Sequence, residues 1–282
     1  MNHPTGFRGY PIVRGRSRRL VLGLTATFAM VLGMAGMGAA TAAADTVIDT
    51  VPVEDSPDGV AITPDGSFAY VTNNGDDSVS VIDTVTNLVV AGPIAVGANP
   101  REVAITPDGA FAYVANNGAN TVSVIDTVTN LVVAGPIVVG NNPVGVAITP
   151  DGAFAYVTTN GANSVSVIDT VTNLVVAGPI AVGTSPVGVA ITPDGAFAYV
   201  TNSGADSVSV IDTVTNTVST TIPAVGALPF GVAITPDGAF AYVTNSGDDT
   251  VSVIAIDQCA GSLCFDFGSL TGSGSGAGSA FS

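Results

Sequence analysis

The chain has 282 residues, 22 acidic side chains against six basic ones, a net charge of −16, two Cys, one His and no Trp. So acidic a surface repels nucleic acid and anionic lipid, which argues against a nucleic-acid partner. Two thiols with a single His are also too few ligands for a four-coordinate structural zinc centre.

The first 44 residues follow rules of their own. Five of the six basic residues, Arg8, Arg14, Arg16, Arg18 and Arg19, precede residue 20, and no acid appears before Asp45. An apolar run begins at Leu20, and Ala42-Ala43-Ala44 supplies the small-x-small pattern that a signal peptidase cuts. Residues 1–44 therefore read as a secretory signal. Arg18-Arg19 after Ser17 resembles a twin-arginine export signal, with the general secretory route left open. Leu20–Ala40 is long enough to span a bilayer, but its Gly and Thr content favours cleavage over anchoring. The expectation is a secreted or cell-envelope protein with no membrane insertion after cleavage.

From there the chain repeats itself. The string VAITPDG occurs at Val60–Gly66, Val103–Gly109, Val146–Gly152, Val189–Gly195 and Val232–Gly238, always 43 residues apart. Within one copy, VAIT reads as a first strand and PDG as a turn, with Pro at its first corner and Gly at a left-handed exit. AFAYVTN is the second strand, and the Asn/Gly-rich stretch after it a turn. SVSVID, rich in β-branched residues, is the third strand. TVTN turns again into LVVAGPIAV, the fourth. Pro93, Pro136 and Pro179 cannot donate to a ladder, so this fourth strand should lie at a sheet edge. Four strands in 43 residues make one propeller blade. Large Phe and Tyr on one face of the second strand, with Ala and Val on the other, predict blades that interlock with their neighbours.

The ends suggest closure. The fifth copy runs out of pattern near Asp257, after three strands, while Thr46–Val53 stands in the register of a fourth. The expected fold is all-β: a five-bladed propeller over residues 45–257, closed by the N-terminal strand completing the last blade. Residues 258–282 read as a flexible Gly/Ser-rich tail. Cys259 and Cys264, with four residues between them in an exported chain, read as a local disulfide.

The second strand carries YVTN at Tyr70–Asn73, Tyr199–Asn202 and Tyr242–Asn245, with TPDG before it and VSVIDT after. Together these resemble the YVTN-type β-propeller repeat family of secreted and surface-layer-like proteins. The resemblance implies a propeller in an extracellular setting and carries no agreed catalytic set. Some propellers similar to it are lactonase-like or bind quinones, but the basic and aromatic residues of such sites are missing here.

What differs between blades is where a ligand would be read. The loops between second and third strands, together with the blade connectors, offer Asp76, Asp77, Asn116, Asn117, Asp206, Asp248 and Asp249 on one face. Arg101-Glu102 replaces the Val-Gly found at Val144-Gly145, and Phe230 takes the place of Arg101 in the fifth copy. These ten residues form the candidate ligand face. Asp-Asp pairs could help hold Ca²⁺, though no DxDxDG-type spacing appears and turns favour the same residues; no other cofactor is expected. The recurring Asp of VIDT and of PDG read as turn caps. With no Lys, no GxSxG elbow and no His after residue 44, no catalytic set stands out. The expected role is a non-catalytic, monomeric binding protein for a protein, peptide or cell-wall glycan. A lactonase-like or glycan-hydrolysing enzyme working at the channel mouth and a structural envelope component are the alternatives.

Overall fold

A computed structural model of the chain describes residues 46–256. The predicted signal, the Cys259–Cys264 pair and the tail lie outside these residues. The described part is all-β apart from one short 3₁₀ turn, Asn160–Ala162. Its strands form five antiparallel sheets in chain order, and each of the first four has four strands.

Blade 1 consists of Pro57–Ile62, Phe68–Asn73, Ser78–Asp83 and Leu88–Ala95, and blade 2 repeats it from Pro100 to Val138. Blades 3 and 4 begin at Pro143 and Pro186; blade 5 holds Pro229–Ile234, Phe240–Asn245 and Thr250–Ala255. As expected, the Pro-bearing fourth strands are the outer edges, each with a cis Gly-Pro peptide, at Pro93, Pro136 and Pro179. The turn caps also match. Asp83 Oδ1 accepts from the backbone N–H groups of Val85 and Thr86, and Asp65 Oδ1 accepts from the hydroxyl of Thr63 and the N–H of Ser67.

The core lies in the four seams between blades. Tyr113, Val122 and Val124 of blade 2 pack against Val146, Ala155, Val157 and Ile168 of blade 3, and the other three seams repeat this arrangement. Every side chain named there is buried, consistent with both faces of an inner blade being covered. The tyrosine adds a polar latch. Tyr70 Oη donates to Asn130 Oδ1 in the next blade at 2.7 Å, as Tyr113 does to Asn173 at 2.7 Å and Tyr156 to Asn216 at 2.6 Å.

Closure by the N-terminal segment does not occur. Residues 46–53 form no strand, Val47 and Ile48 are exposed, and the fifth sheet keeps three strands. Inner strands pack consecutively from blade 1 to blade 5, with no comparable packing from blade 5 back to blade 1. The seam residues at the two ends stay open accordingly: Val60 is 64% exposed and Tyr242 44%, whereas Tyr113 is fully buried. The outer edge of Thr250–Ala255 is left without a partner strand among the described residues. Matching register at the chain ends therefore does not make a ladder, and the described residues form an open arc.

Candidate functional site

The five inner strands converge on a central channel. Each begins with Pro, and the next residue faces the channel mouth: Asp58, Arg101, Val144, Val187 and Phe230. The residue after that is Gly59, Glu102, Gly145, Gly188 and Gly231 in turn. All of these positions except Gly145 line a cavity of about 340 Å³ together with Val60, Val189 and Val232. The charged residues of the lining come from blades 1 and 2, and blades 3 to 5 present apolar groups and glycine.

The glycine ring has a steric cause. A Cβ at Gly59 would stand 2.5 Å from the carbonyl oxygen of Arg101, and one at Gly188 2.5 Å from that of Phe230. Glycine lets neighbouring inner strands approach this closely. A threonine from the second strand completes the unit: Gly188 N–H donates to Thr201 Oγ1 at 2.8 Å, and that hydroxyl donates to the Phe230 carbonyl at 2.7 Å. Blade 2 breaks both halves at once, with Glu102 at the glycine position and buried Ala115 at the threonine position. The change to alanine removes the hydroxyl beside which a carboxylate side chain would have to fit.

Arg101 Nη1 donates to Asp58 Oδ2 at 2.8 Å, and both side chains are substantially exposed. Glu102 is exposed at the channel mouth, where the neighbouring inner strands desolvate its carboxyl in part. This desolvation raises its carboxyl from 4.5 to about 7; the Asp58 charge adds to the rise and a hydrogen bond from the Val146 N–H opposes it. At neutral pH Glu102 is thus divided between its protonated and ionised forms.

The ten candidate residues therefore separate into two groups. Arg101, Glu102 and Phe230 meet around the channel. The loop residues are bonded to the framework: Asp76 accepts from Asp55 N–H at 2.6 Å, Asp77 from Asn99 N–H at 2.8 Å, Asp206 from Leu228 N–H at 3.0 Å and Asp248 from Ala227 N–H at 2.5 Å. Asn117 Nδ2 donates to the Pro143 carbonyl at 3.0 Å, and Asn116 is fully buried, donating to Ser123 Oγ at 2.9 Å. Asp249, at φ 55°, occupies the left-handed turn position that Asp77 and Asp206 hold in their blades. Asp77, Asp206 and Asp249 hold the left-handed turn position that favours Asx residues, and the carboxylates of Asp76, Asp77, Asp206 and Asp248 tie loops to connectors. Among the described residues no three His, Cys, Asp or Glu side chains gather closely enough to hold a metal ion.

Asp58 and Ala115 were missed in the sequence. Asp58 lies 43 residues before Arg101, so comparing the residue after each blade's first Pro would have revealed it.

Comparison with known proteins gives the site a chemical setting. Residues 38–130 and 175–271 match the family described as Lactonase, 7-bladed beta-propeller. Among solved structures, "Kuenenia stuttgartiensis Hydrazine Synthase" is similar at 33% identity and a TM-score of 0.63, over 71% of this chain and 59% of that one. This chain thus spans less than two thirds of that protein chain. A functionally unknown protein from Desulfotomaculum acetoxidans DSM 771 is similar at 26% identity and a TM-score of 0.65, over 75% of this chain and 69% of that one. No curated protein matches. The family match overturns the expectation of a protein without catalytic activity: it points to a hydrolase. That expectation sought a nucleophile motif, a His or a Lys within continuous sequence. The channel instead sets Glu102, an acid of raised pKa, next to Arg101 on one inner strand, with Asp58 supplied by the inner strand of blade 1.

Proposed function

The chain belongs to the Lactonase, 7-bladed beta-propeller family, and from that premise we propose that it is a hydrolase opening a cyclic ester at the mouth of the central channel. The observation that carries this reading is Glu102, a carboxyl with a pKa near 7 beside the Arg101–Asp58 pair. General-base catalysis works best when the base titrates near the working pH. Ionised Glu102 takes a proton from a water molecule while the water oxygen bonds to the lactone carbonyl carbon. The ring C–O bond then breaks, and the proton held by Glu102 passes to the departing alkoxide, giving a hydroxy acid. Arg101 keeps guanidinium N–H groups beyond the one on Asp58, and these serve the developing oxyanion.

The seven blades in the family description favour a ring of which the five described blades are an arc. We also read the repeat as YVTN-type, on Tyr70–Asn73 and its copies. The basic and then apolar start of the chain supports an exported enzyme.

The test is lactone hydrolysis followed by pH-stat, comparing the parent with Glu102→Gln. Loss of a general base lowers kcat by about 10²–10⁴-fold. A Glu102→Gln variant with the parent's rate removes Glu102 from the chemistry, and a parent without turnover on any lactone removes the hydrolase reading itself.

A further inference from the structure

The channel wall is divided by chemistry as well as by blade. On one side stand Asp58, Arg101 and Glu102; across from them stand Val144, Val187 and Phe230. Phe230 lies in blade 5 and is 58% exposed, so its ring surface is open to the cavity. Arg101 is the one cationic side chain among residues 46–256, and its charge is matched by Asp58 at 2.8 Å. With Glu102 counted, the charged side is neutral or carries one negative charge, never a positive one.

Resting on the hydrolase reading, we propose that the lactone taken here is uncharged and bears an apolar substituent, which seats on Val144, Val187 and Phe230, and that the site rejects lactones bearing phosphate or carboxylate. An anionic group entering the channel finds no uncompensated cation and meets Asp58 and Glu102. Leaving water without a charge partner is costly for such a group. An alkyl chain, in contrast, covers valine and phenylalanine surface at roughly 0.8 kcal/mol per buried methylene, about fourfold in affinity for each. The cavity of about 340 Å³ is at the small end of ligand sites, which suits one ring with a short chain.

The experiment measures kcat/KM of the full chain on three δ-lactones: a short alkyl lactone, a longer alkyl homologue and a phosphorylated sugar lactone. The longer alkyl lactone is expected to exceed the short one by about tenfold and the phosphorylated one by more. Asp58→Asn releases Arg101 from its partner and is expected to shift the phosphorylated-to-alkyl ratio upward by about tenfold. Phe230→Ser is expected to erase the preference for the longer chain. A phosphorylated lactone preferred by the parent overturns the inference while leaving the hydrolase reading intact, as does a ratio unmoved in both variants. No turnover on any of the three overturns the hydrolase reading and this inference with it.

Discussion

Replacing Tyr113 with Phe removes one hydroxyl from a seam that is otherwise unchanged. Tyr113 is fully buried between blades 2 and 3, and its Oη lies 2.7 Å from Asn173 Oδ1 and 3.3 Å from the Thr170 carbonyl. Asn173 is only half-buried, so water can partly satisfy the abandoned oxygen, and the cost is that of one net hydrogen bond, about 1 kcal/mol. For a folded unit of this size that corresponds to a fall in Tm of about 2–4 °C. Tyr242 is the internal control: it has the same repeat position in blade 5, but its ring is 44% exposed and no following blade covers it. Tyr242→Phe should leave Tm within error. Differential scanning calorimetry on both variants decides the matter. Equal losses would mean that the outer face of blade 5 is covered and the arc closed, refuting the open-ended reading; no loss in Tyr113→Phe would refute the latch.

Three further outcomes are expected. The pH profile of kcat/KM should rise through a midpoint near 7 as Glu102 ionises, and Asp58→Asn should move that midpoint down, because a like charge that raises the carboxyl is gone; a profile flat between pH 5 and pH 9 counts against Glu102 as base. Nine turn aspartates (Asp65, Asp83, Asp108, Asp126, Asp151, Asp169, Asp194, Asp212 and Asp237) are held below 3.8 by hydrogen bonds, Asp65 to about 2. Their stabilisation is present above 3.8 and lost as pH falls toward 2, so thermal midpoints should drop steeply there, and a midpoint constant from pH 5 to pH 2 contradicts this. Gly188→Ala should lower Tm more than Gly231→Ala, since the added Cβ meets the Phe230 carbonyl at 2.5 Å in the first case and only Thr244 Oγ1 at 3.2 Å in the second; the reverse order would contradict the close approach of inner strands.

How much of the molecule the sequence holds depends on the range of the interaction. Strand order, the outer position of Pro93, Pro136 and Pro179, and the capping by Asp65 and Asp83 follow from residues within one blade, and three to five copies restate each of them. Tyr70, Tyr113 and Tyr156 could be assigned to blade interfaces because every inner blade meets the same neighbour. Arg101, Glu102 and Phe230 were visible as breaks in a strict pattern. Asp76, Asp77, Asp206 and Asp248 accept from backbone N–H groups of the connectors, a role that residue type alone does not reveal, since turns and ligand sites favour the same side chains.

By itself, then, the sequence determined the blade, its edges and its turns, because these depend on contacts a few residues apart that each copy makes again. Tertiary structure decided the open arc and the raised pKa of Glu102. The first depends on which blade faces find a neighbour; the second depends on the partial desolvation of one exposed carboxylate among the inner strands and on how near Asp58 comes to it. Neither the missing neighbour nor that desolvation is a property of any single copy of the repeat.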